Sequence, residues 1–490
     1  MNAIGRPLSE EETLDPGDWA GVERTVQQAV ADAVRYLREV RDRPVWQEMP
    51  HAIRQGFDAP VPHDPTPLDG VLREVQETIM PYPMGNVHPR FWAWFMGSGS
   101  LTGALAEFLA AIQGSNVGGG DHAAVRVDGQ VVAWCREMIG MPETTAGTLL
   151  SGGSAANLVG LTVARNVKAG IDLREEGVAA MPKPLRFYGS DQMHSCHRKA
   201  MEALGLGNRA LRRIPSDSDF RINLSALRDA IARDRADGLR PACIVANAGS
   251  VNTGSIDDLD ALAEIAAAED LWFHVDGCIG ALLAIAPENA HLVAGLARAD
   301  SLAVDPHKWL HAPIGVGCAL IRDGALLRQT FSTRPEYLEA APRGLAAGPW
   351  PFESSPETSR SFRALKVWMM LKEHGVAKFG RLIDRNIAQA RHLADLVEGH
   401  PRLTLAAPQV IDIVCFRYDP GGLGELERKT LNVEIMLRLQ ELGIAALSDT
   451  SLDGVHCLRV AICNHRTRYA DLDLMVREIV RIGDSLAGDR

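Results

Sequence analysis

The sequence predicts an α/β protein built around a mainly parallel β-sheet, followed by a smaller α+β domain. Between about residues 100 and 323, helical patterns such as 155–168 and 258–270 alternate with short apolar runs. These runs, which we predict as strands, are 185–188, 243–246, 272–275 and 317–321. Strands separated by helices need crossover connections, so the strands run parallel and helices cover both faces of the sheet.

The regions on either side of this alternating pattern differ from it. The N-terminal region has one amphipathic helical pattern at 19–41 and then a proline-rich stretch between 60 and 89, which suits a segment that wraps over a surface. A long helical pattern at 359–399 leads into the C-terminal region. There we predict strands at 410–417 and 456–462 and helices at 432–442 and 471–485.

A chain of 490 residues is too long for one small core. We therefore divide it into an N-terminal segment, residues 1–90, a large α/β domain, residues 91–370, and a small C-terminal domain, residues 371–490. The N-terminal segment has too little apolar periodicity for a core of its own, so we expect it to pack on another surface.

Charge and composition exclude several classes of partner. The 51 basic and 62 acidic residues are interspersed and give a net charge of −11, which disfavours nucleic acid and anionic membranes. No apolar stretch approaches the roughly 20 residues of a membrane span, and the first residues do not resemble a signal peptide. The eight cysteines lack disulfide and metal spacing. We therefore expect a cytoplasmic protein without a metal site.

The motif Asp305-Pro-His-Lys-Trp309 directly follows the apolar run 301–304. A lysine that forms a Schiff base needs a sheltered site that favours its neutral amine, and the flanking proline and tryptophan suit such a site. Taken alone, a lysine at the end of a strand is more often solvated, so this motif needs support from others.

A second motif, Trp272-Phe-His-Val-Asp-Gly277, places Asp276 at the end of an apolar strand. A carboxylate there can keep a bound pyridine nitrogen protonated, which makes the ring a better electron sink. The alternative is a side chain that caps the next helix.

Two further motifs follow strands. Leu150-Ser-Gly-Gly-Ser-Ala-Ala-Asn157 leads into a helix, where backbone N–H groups and Ser154 can hold an anion, although a plain glycine turn is the alternative. Ser190-Asp-Gln-Met-His-Ser195 places His194 where it can stack on a flat ring. For three other histidines, a structural role is the simpler interpretation: His197, His274 and His311.

In this order, the motifs resemble the group II pyridoxal-dependent decarboxylases, which include the aromatic-L-amino-acid, histidine and glutamate decarboxylases. The string around Lys308 is the most specific part of the resemblance. Residues 86–95, 191–195, 274–276 and 362–368 add to it. The resemblance implies fold type I of the pyridoxal-phosphate enzymes, with a seven-stranded sheet. It also implies a homodimer with shared active sites, in which the N-terminal segment packs on the partner chain.

The resemblance implies a role for individual residues. Lys308 carries pyridoxal 5′-phosphate as a Schiff base, Asp276 contacts the pyridine nitrogen, and His194 stacks on the ring; these three are the predicted catalytic residues. Gly153 and Ser154 contact the phosphate. The remaining implied cofactor contacts are His307, beside the phosphate, and Ser250, in a loop that contributes such contacts.

The sequence departs from the family at a loop that carries a proton-donating tyrosine in many members. The stretch 332–359 has Tyr337 as its only tyrosine, nearer the start of the loop. Where the acid is expected, the chain has Pro349-Trp-Pro-Phe-Glu353. Within the family, loss of this tyrosine accompanies oxidative decarboxylation to an aldehyde.

A second departure concerns the substrate pocket. Residues 114–122 lie where aromatic decarboxylases place bulky side chains, but three of them are consecutive glycines, Gly118 to Gly120, which indicate mobile backbone or close backbone approach. An aromatic substrate is therefore not assumed. Cys278 replaces the alanine common in the family, either as a small buried side chain or as a redox-active group.

These observations predict a pyridoxal-phosphate lyase that decarboxylates a small-molecule L-amino acid at Cα to the amine. Two alternatives keep the cofactor: an aldehyde-forming oxidative decarboxylase, or a carbon–carbon lyase resembling sphingosine-phosphate lyase. A third is a non-catalytic protein that binds the cofactor or a partner. The Lys308, Asp276 and His194 set argues against the third, since binding alone needs no Schiff-base lysine beside an electron-sink aspartate.

Overall fold

The structure, a computed structural model, describes residues 13–333 and 341–488. Its α-helices are α1 (Trp19–Arg38), α2 (His51–Gly56), α3 (Leu68–Glu74), α4 (Leu101–Gln113), α5 (Ala123–Ile139), α6 (Gly153–Lys168), α7 (Leu173–Glu176), α8 (Cys196–Ala203), α9 (Leu224–Ala236), α10 (Leu259–Ala268), α11 (Gly324–Phe331), α12 (Ala364–His374), α13 (Val376–Glu398), α14 (Glu425–Glu441) and α15 (Tyr469–Gly488). Its strands are β1 (Ala146–Leu150), β2 (Leu185–Ser190), β3 (Leu211–Ile214), β4 (Arg240–Asn247), β5 (Trp272–Asp276), β6 (Ser301–Val304), β7 (Gly317–Ile321), β8 (Leu403–Leu405), β9 (Ile413–Tyr418), β10 (Ser448–Leu452) and β11 (Val455–Ala461).

Seven strands form the large sheet in the order β1-β7-β6-β5-β4-β2-β3. Neighbouring strands from β3 across to β6 are parallel, whereas β7 is antiparallel to both β6 and β1. Every residue of β5, β6 and β7 is buried. Strands covered on both faces need apolar residues at successive positions, which is why the apolar runs predicted them. The mainly parallel, seven-stranded sheet is therefore confirmed.

The parallel direction of the strands decides where the functional motifs lie. The carboxyl ends of β2, β4, β5 and β6 lie at one edge of the sheet, and β1, which runs in the same direction, ends there too. The chain leaves this edge through the turns that contain the glycine-serine motif, His194, Asp276 and Lys308. Ligands of open α/β sheets bind at such an edge.

The small domain is built on a four-stranded antiparallel sheet in the order β10-β11-β9-β8. Helices α13, α14 and α15 contact this sheet or one another and bury an apolar core that includes Phe416, Tyr418 and Leu458. The predicted small α+β domain is thus confirmed. The boundaries at residues 90 and 370 stay a prediction, because α13 contributes to this core and to that of the large domain.

The pattern at 359–399 forms two helices rather than one. Gly375 separates α12 from α13 and has a φ angle of 71°, which an L-residue other than glycine adopts only with strain. The other helix and strand bounds differ from the predicted ones by a few residues, except α14, which begins seven residues before the predicted start.

The N-terminal segment contains more helix than the proline-rich stretch predicted. Helices α2 and α3 begin directly after Pro50 and Pro67, whose fixed φ angle suits the start of a helix. Helix α1 ends at Arg38, before the predicted end, and a single 3₁₀ turn follows it. No residue of α1 is buried within the chain. In the described part of the chain, every helix is too short or too polar to cross a membrane.

Candidate active site

A cavity of about 560 Å³ opens at the carboxyl edge of the large sheet, and we call it the active-site cavity. Six of the seven predicted site residues line it: Gly153, Ser154, His194, Asp276, His307 and Lys308. Ser250 does not line it. Its buried hydroxyl hydrogen-bonds those of Thr253, at 3.0 Å, and Ser255, at 2.8 Å. A cofactor contact by Ser250 therefore stays a prediction.

Lys308 lies in the turn that follows β6. Its backbone N–H donates to the carbonyl of Asp305, and its Nζ lies 3.2 Å from Asp305 Oδ2. Burial lowers the pKa of Lys308, but the charge of Asp305, helped by Asp276, outweighs burial and raises the pKa above its ordinary value. The turn shelters the lysine, and without a ligand Asp305 favours its ammonium form, so a site that favours the neutral amine stays a prediction.

Asp276 is the last residue of β5 and is 8% exposed. Its Oδ2 accepts a hydrogen bond from His197 Nε2 at 2.9 Å, and its Oδ1 accepts one from the backbone N–H of Cys278 at 3.2 Å. Burial alone raises the pKa of this carboxyl, but the two hydrogen bonds and the charge of His197 hold it well below its usual range. Asp276 is therefore an ionised carboxylate. Only its Oδ1 caps the turn after β5, so the capping alternative accounts for one of its two oxygens.

His197 is the partner of Asp276 that the sequence interpretation missed. It is fully buried in the first turn of α8, three residues after His194, so the predicted ring-stacking histidine and the residue that holds the aspartate lie close together in the chain. This spacing was visible in the sequence, but only the fold shows which histidine reaches Asp276.

A second buried histidine, His274, lies on β5 next to His197, with ring centres 6.3 Å apart. Its Nε2 donates to Asn157 Oδ1 at 2.8 Å and its Nδ1 accepts from the Ser301 hydroxyl at 2.7 Å. Burial, and then the charge of His197, lower the pKa of His274 to about 3, so its ring is neutral. Both ring nitrogens are thus used within the core, which supports the structural interpretation.

The glycine-serine turn forms the N-terminus of α6, and no side chain caps that helix. A Cβ atom on Gly153 would lie 2.4 Å from Cys278 Sγ and 2.5 Å from Asp305 Oδ2, so only glycine fits there. The side chain of Ser154 is exposed to the cavity. Open backbone N–H groups and the helix dipole make this end of α6 suited to an anion.

His194 and His307 complete the predicted set. His194 Nδ1 accepts from the backbone N–H of Cys196 at 3.2 Å, so its Nε2 is the nitrogen available to the cavity. His307 Nδ1 donates to the carbonyl of Val316 at 2.7 Å, which fixes its ring beside the turn of Lys308.

Arg459 is another lining residue that the sequence interpretation missed. It lies on β11, is 4% exposed, and is the one arginine in the described lining of the active-site cavity. Its guanidinium donates to the carbonyls of Trp94, Val251 and Asn252. The sequence signal that could have found Arg459 is its position as the one charged residue in the otherwise mostly apolar strand 455–461.

Cys196, His197 and Asp276 bring three possible metal-ligand atoms within 4.8 Å of one another. His197 and Asp276 already hydrogen-bond each other, and burial raises the pKa of the Cys196 thiol. A neutral thiol is a poor ligand, so the absence of a metal site stays our prediction. Cys278 is likewise buried, and burial raises the pKa of its thiol, which favours the small buried side chain over the redox group.

The glycines at 118–120 allow the 349–359 region to pack closely against this part of the backbone. A Cβ atom on Gly118 would lie 2.2 Å from the carbonyl oxygen of Thr358, and one on Gly119 would lie 2.1 Å from the ring of Trp350. The Phe352 backbone N–H donates to the Gly118 carbonyl at 3.0 Å. The 349–353 segment is therefore seated on the glycines. Tyr337 lies outside the described residues.

Comparisons with known proteins agree with this geometry. The family model described as the pyridoxal-dependent decarboxylase conserved domain matches residues 50–419. An aromatic-L-amino-acid decarboxylase of Bacillus atrophaeus is 32% identical over 469 residues, covering 94% of this chain and 95% of that protein. A phenylacetaldehyde synthase of Petunia hybrida is 28% identical, with 94% and 93% covered. The solved structure of Oryza sativa TDC with PLP and tryptamine matches with a TM-score of 0.89 at 26% identity, covering 97% of this chain and 100% of that one.

Replacing Gly153 with alanine tests whether the start of α6 binds the phosphate of the cofactor. The added Cβ would collide with Cys278 and Asp305, so the start of α6 must shift and we expect the affinity for pyridoxal phosphate to fall about tenfold or more. Absorbance titration of the apo-protein with the cofactor measures this. Gly129→Ala, in α5, is the matched control, because nothing lies within 4 Å of its added Cβ. Equal affinities in the two variants would contradict the assignment.

Proposed function

Because the chain belongs to the pyridoxal-dependent decarboxylase family, we propose that it removes the α-carboxylate of an L-amino acid as CO₂ and releases the amine. Family membership confirms the predicted enzyme class, a carboxy-lyase, and the predicted cofactor, pyridoxal 5′-phosphate. The observation that carries the proposal is one cavity in which an amine, a buried carboxylate and an open helix N-terminus meet: Lys308, Asp276 and the start of α6.

The residues of the active-site cavity fit this cofactor. The uncapped start of α6, with Gly153 and Ser154, would hold the phosphate, and Gly153 leaves room that a Cβ would fill. Lys308 would bind the cofactor as a Schiff base, which requires its ammonium to lose a proton, and Asp305 is the nearest carboxylate. The cavity volume of about 560 Å³ lies in the range of small-molecule sites.

The cofactor would supply an electron-withdrawing pyridine ring, which can accept the electron pair left at Cα when CO₂ departs. Asp276 would hold a proton at the ring nitrogen, since an ionised carboxylate attracts it. His197 in turn keeps Asp276 ionised inside the core, where burial alone would raise its pKa. Asp276 acts on the cofactor, and His197 is a positioning residue.

Two lining residues would act on the substrate. Arg459 is positioned to attract the α-carboxylate, and the carbonyls that hold its guanidinium fix its orientation. After the Cα–carboxylate bond breaks and CO₂ leaves, Cα needs one proton. His194 presents Nε2 to the cavity, and because burial lowers the pKa of its ring we propose that the neutral ring directs a proton from water to Cα rather than supplying its own.

An aldehyde-forming reaction is the second candidate. The segment 341–359 contains no tyrosine, and its described residues pack on Gly118 and Gly119 through Trp350 and Phe352. One of the relatives is named a phenylacetaldehyde synthase, so both outcomes occur among similar chains. In that reaction O₂ would accept two electrons and water would supply the aldehyde oxygen, so the amino acid, O₂ and water would give aldehyde, CO₂, ammonia and hydrogen peroxide.

Product analysis of the holoenzyme separates the two candidates. The protein is saturated with pyridoxal phosphate and incubated with a panel of L-amino acids that begins with tryptophan, tyrosine and phenylalanine. We expect amine and CO₂ in equal amounts without ammonia or peroxide, and we expect Asp276→Asn to lower kcat by about a hundredfold or more. Aldehyde with ammonia and peroxide would establish the second candidate. Absence of turnover across the panel would contradict both.

We also propose that the chain works as a homodimer with shared active sites. Helix α4 exposes an apolar stripe at helical spacing: Leu101, Leu105, Phe108, Leu109 and Ile112. Helix α1, which buries no residue in its own chain, exposes Trp19, Val30 and Val34. Apolar surface on this scale is typical of an interface, and a second copy of the chain is the partner that supplies a matching apolar surface.

Substitution within the α4 stripe tests the dimer. We expect wild-type protein to have twice the 53.1 kDa chain mass by light scattering after size exclusion, and Phe108→Glu with Ile112→Glu to shift it towards the monomer. Leu426→Glu, at an exposed apolar position on α14 outside the stripe, is the control and should stay dimeric. A monomeric wild type, or a dimeric double variant, would contradict the proposal.

The cytoplasm is the compartment that we propose. All eight cysteines are free and buried, and several of them lie within the sheets. Cysteines that serve as small core residues need a reducing environment to stay unpaired during folding.

A further inference from the structure

A cavity of about 300 Å³ lies between the end of α1, helix α13 and the segment that precedes α15. Five of its lining residues are arginines, namely Arg38, Arg41, Arg385, Arg466 and Arg468, and none of its described lining residues is acidic. We call it the arginine cavity. Such a concentration of positive charge is unexpected in a chain with a net charge of −11.

Most of these guanidinium groups lack a carboxylate partner. Arg41 pairs with Asp471, at 2.7 Å. Arg385 and Arg466 donate only to backbone carbonyls, those of His465, Ser98 and Gly99. Among the described residues, the side chains of Arg38 and Arg468 have no ion pair, and Arg385 Nε is buried without an acceptor. The positive charge is therefore not neutralised by the chain itself.

The excess of positive charge also affects the pKa of the neighbouring histidines. Burial, and then the charge of Arg466, lower the pKa of His465 to about 4, while burial lowers the pKa of Arg466 to about 10. Both residues also line an adjoining cavity of about 460 Å³, together with His311. His311 is 2% exposed, and its Nε2 is a buried polar atom without a hydrogen-bond partner in the described chain.

His311 connects this region to the active site. Its ring packs edge-on against that of His465, with centres 4.8 Å apart, and its backbone N–H donates to the carbonyl of Lys308 at 3.1 Å. The arginine cavity thus lies only a few side chains from the turn that holds Lys308. An occupant of the cavity would lie between α1, which we place in the dimer interface, and the small domain.

We propose that the arginine cavity binds a small inorganic oxyanion of the phosphate type. Guanidinium groups donate paired N–H groups to the oxygens of such an anion, and the volume of about 300 Å³ accommodates an anion of a few heavy atoms with its water. The anion supplies the missing negative charge and holds the end of α1 against α13 and the segment before α15. The site is separate from the active-site cavity and does not depend on the proposed reaction.

Thermal unfolding of the holoenzyme tests the proposal, with inorganic phosphate as the probe. The protein is first saturated with pyridoxal phosphate, so that the cofactor's own phosphate site is filled. Phosphate is then compared with potassium chloride at equal ionic strength, which removes the effects of charge screening, while the general stabilisation by excluded phosphate differs from binding because it does not saturate. We expect phosphate to raise Tm saturably, by about 2 °C or more beyond chloride.

Three variants locate the effect. Arg38→Gln and Arg468→Gln remove guanidinium groups without an ion pair, and each should weaken the apparent phosphate affinity about tenfold or more. Arg24→Gln, exposed on the same helix as Arg38, is the matched control and should keep the wild-type response. A phosphate effect no larger than that of chloride, or one unchanged in both cavity variants, would overturn the proposal.

Equilibrium dialysis of the wild-type holoenzyme with labelled phosphate gives an answer even if the variants fail to fold. The proposal requires one exchangeable phosphate per chain in addition to the phosphate of the cofactor. A stoichiometry of zero would overturn it.

Discussion

The hydrogen bond between His197 and Asp276 holds a negative charge inside the core of the large domain, and the chemistry of the site depends on it. A carboxylate removed from water loses several kcal/mol of solvation unless a partner and hydrogen bonds compensate. His197 and the backbone N–H of Cys278 provide that compensation at 2.9 and 3.2 Å. The neutral ring of His274, fixed by Asn157 and Ser301, packs beside His197 without adding a competing charge. The charge needed by a protonated pyridine ring is therefore present before any ligand binds.

The parallel sheet places the other predicted site residues near the carboxylate of Asp276. Because β1, β2, β5 and β6 end at one edge, residues far apart in the chain meet there: Gly153, His194, Asp276 and Lys308. Close packing then selects the residue types. Gly153 is required because Cys278 and Asp305 occupy the space of a Cβ atom. Asp305 raises the pKa of Lys308, so the Schiff base that we propose at this lysine would require the pair to lose a proton.

The sequence predicted the elements whose residues carry a strong pattern and missed those that do not. The runs that became β4, β5 and β7 are apolar because these strands are buried on both faces. Strand β3 was missed because it carries Arg212 and Arg213, and β10 because its residues are mostly polar, as befits strands at the edges of their sheets. The split at Gly375 was missed because the helical pattern continues across it.

The same distinction holds for the site. Lys308, Asp276 and Gly153 lie in local motifs, so the sequence placed them near one another. His197 and Arg459 depend on contacts between segments about 80 and more than 200 residues apart, which no local pattern contains. The contact between Asp305 and Lys308 could not be predicted, because the side-chain direction of Asp305, three residues earlier, is a property of the turn. The contact between the Trp350 ring and Gly119 likewise depends on how the two segments pack together.

Reduction of the holoenzyme with borohydride, followed by peptide mapping with mass spectrometry, identifies the lysine that carries the cofactor. Borohydride converts a Schiff base into a stable amine, so the cofactor stays on the residue that carried it. We expect the cofactor-derived mass on the peptide that contains Lys308, with the other lysines unmodified. Modification of a different lysine, or of none, would contradict this expectation.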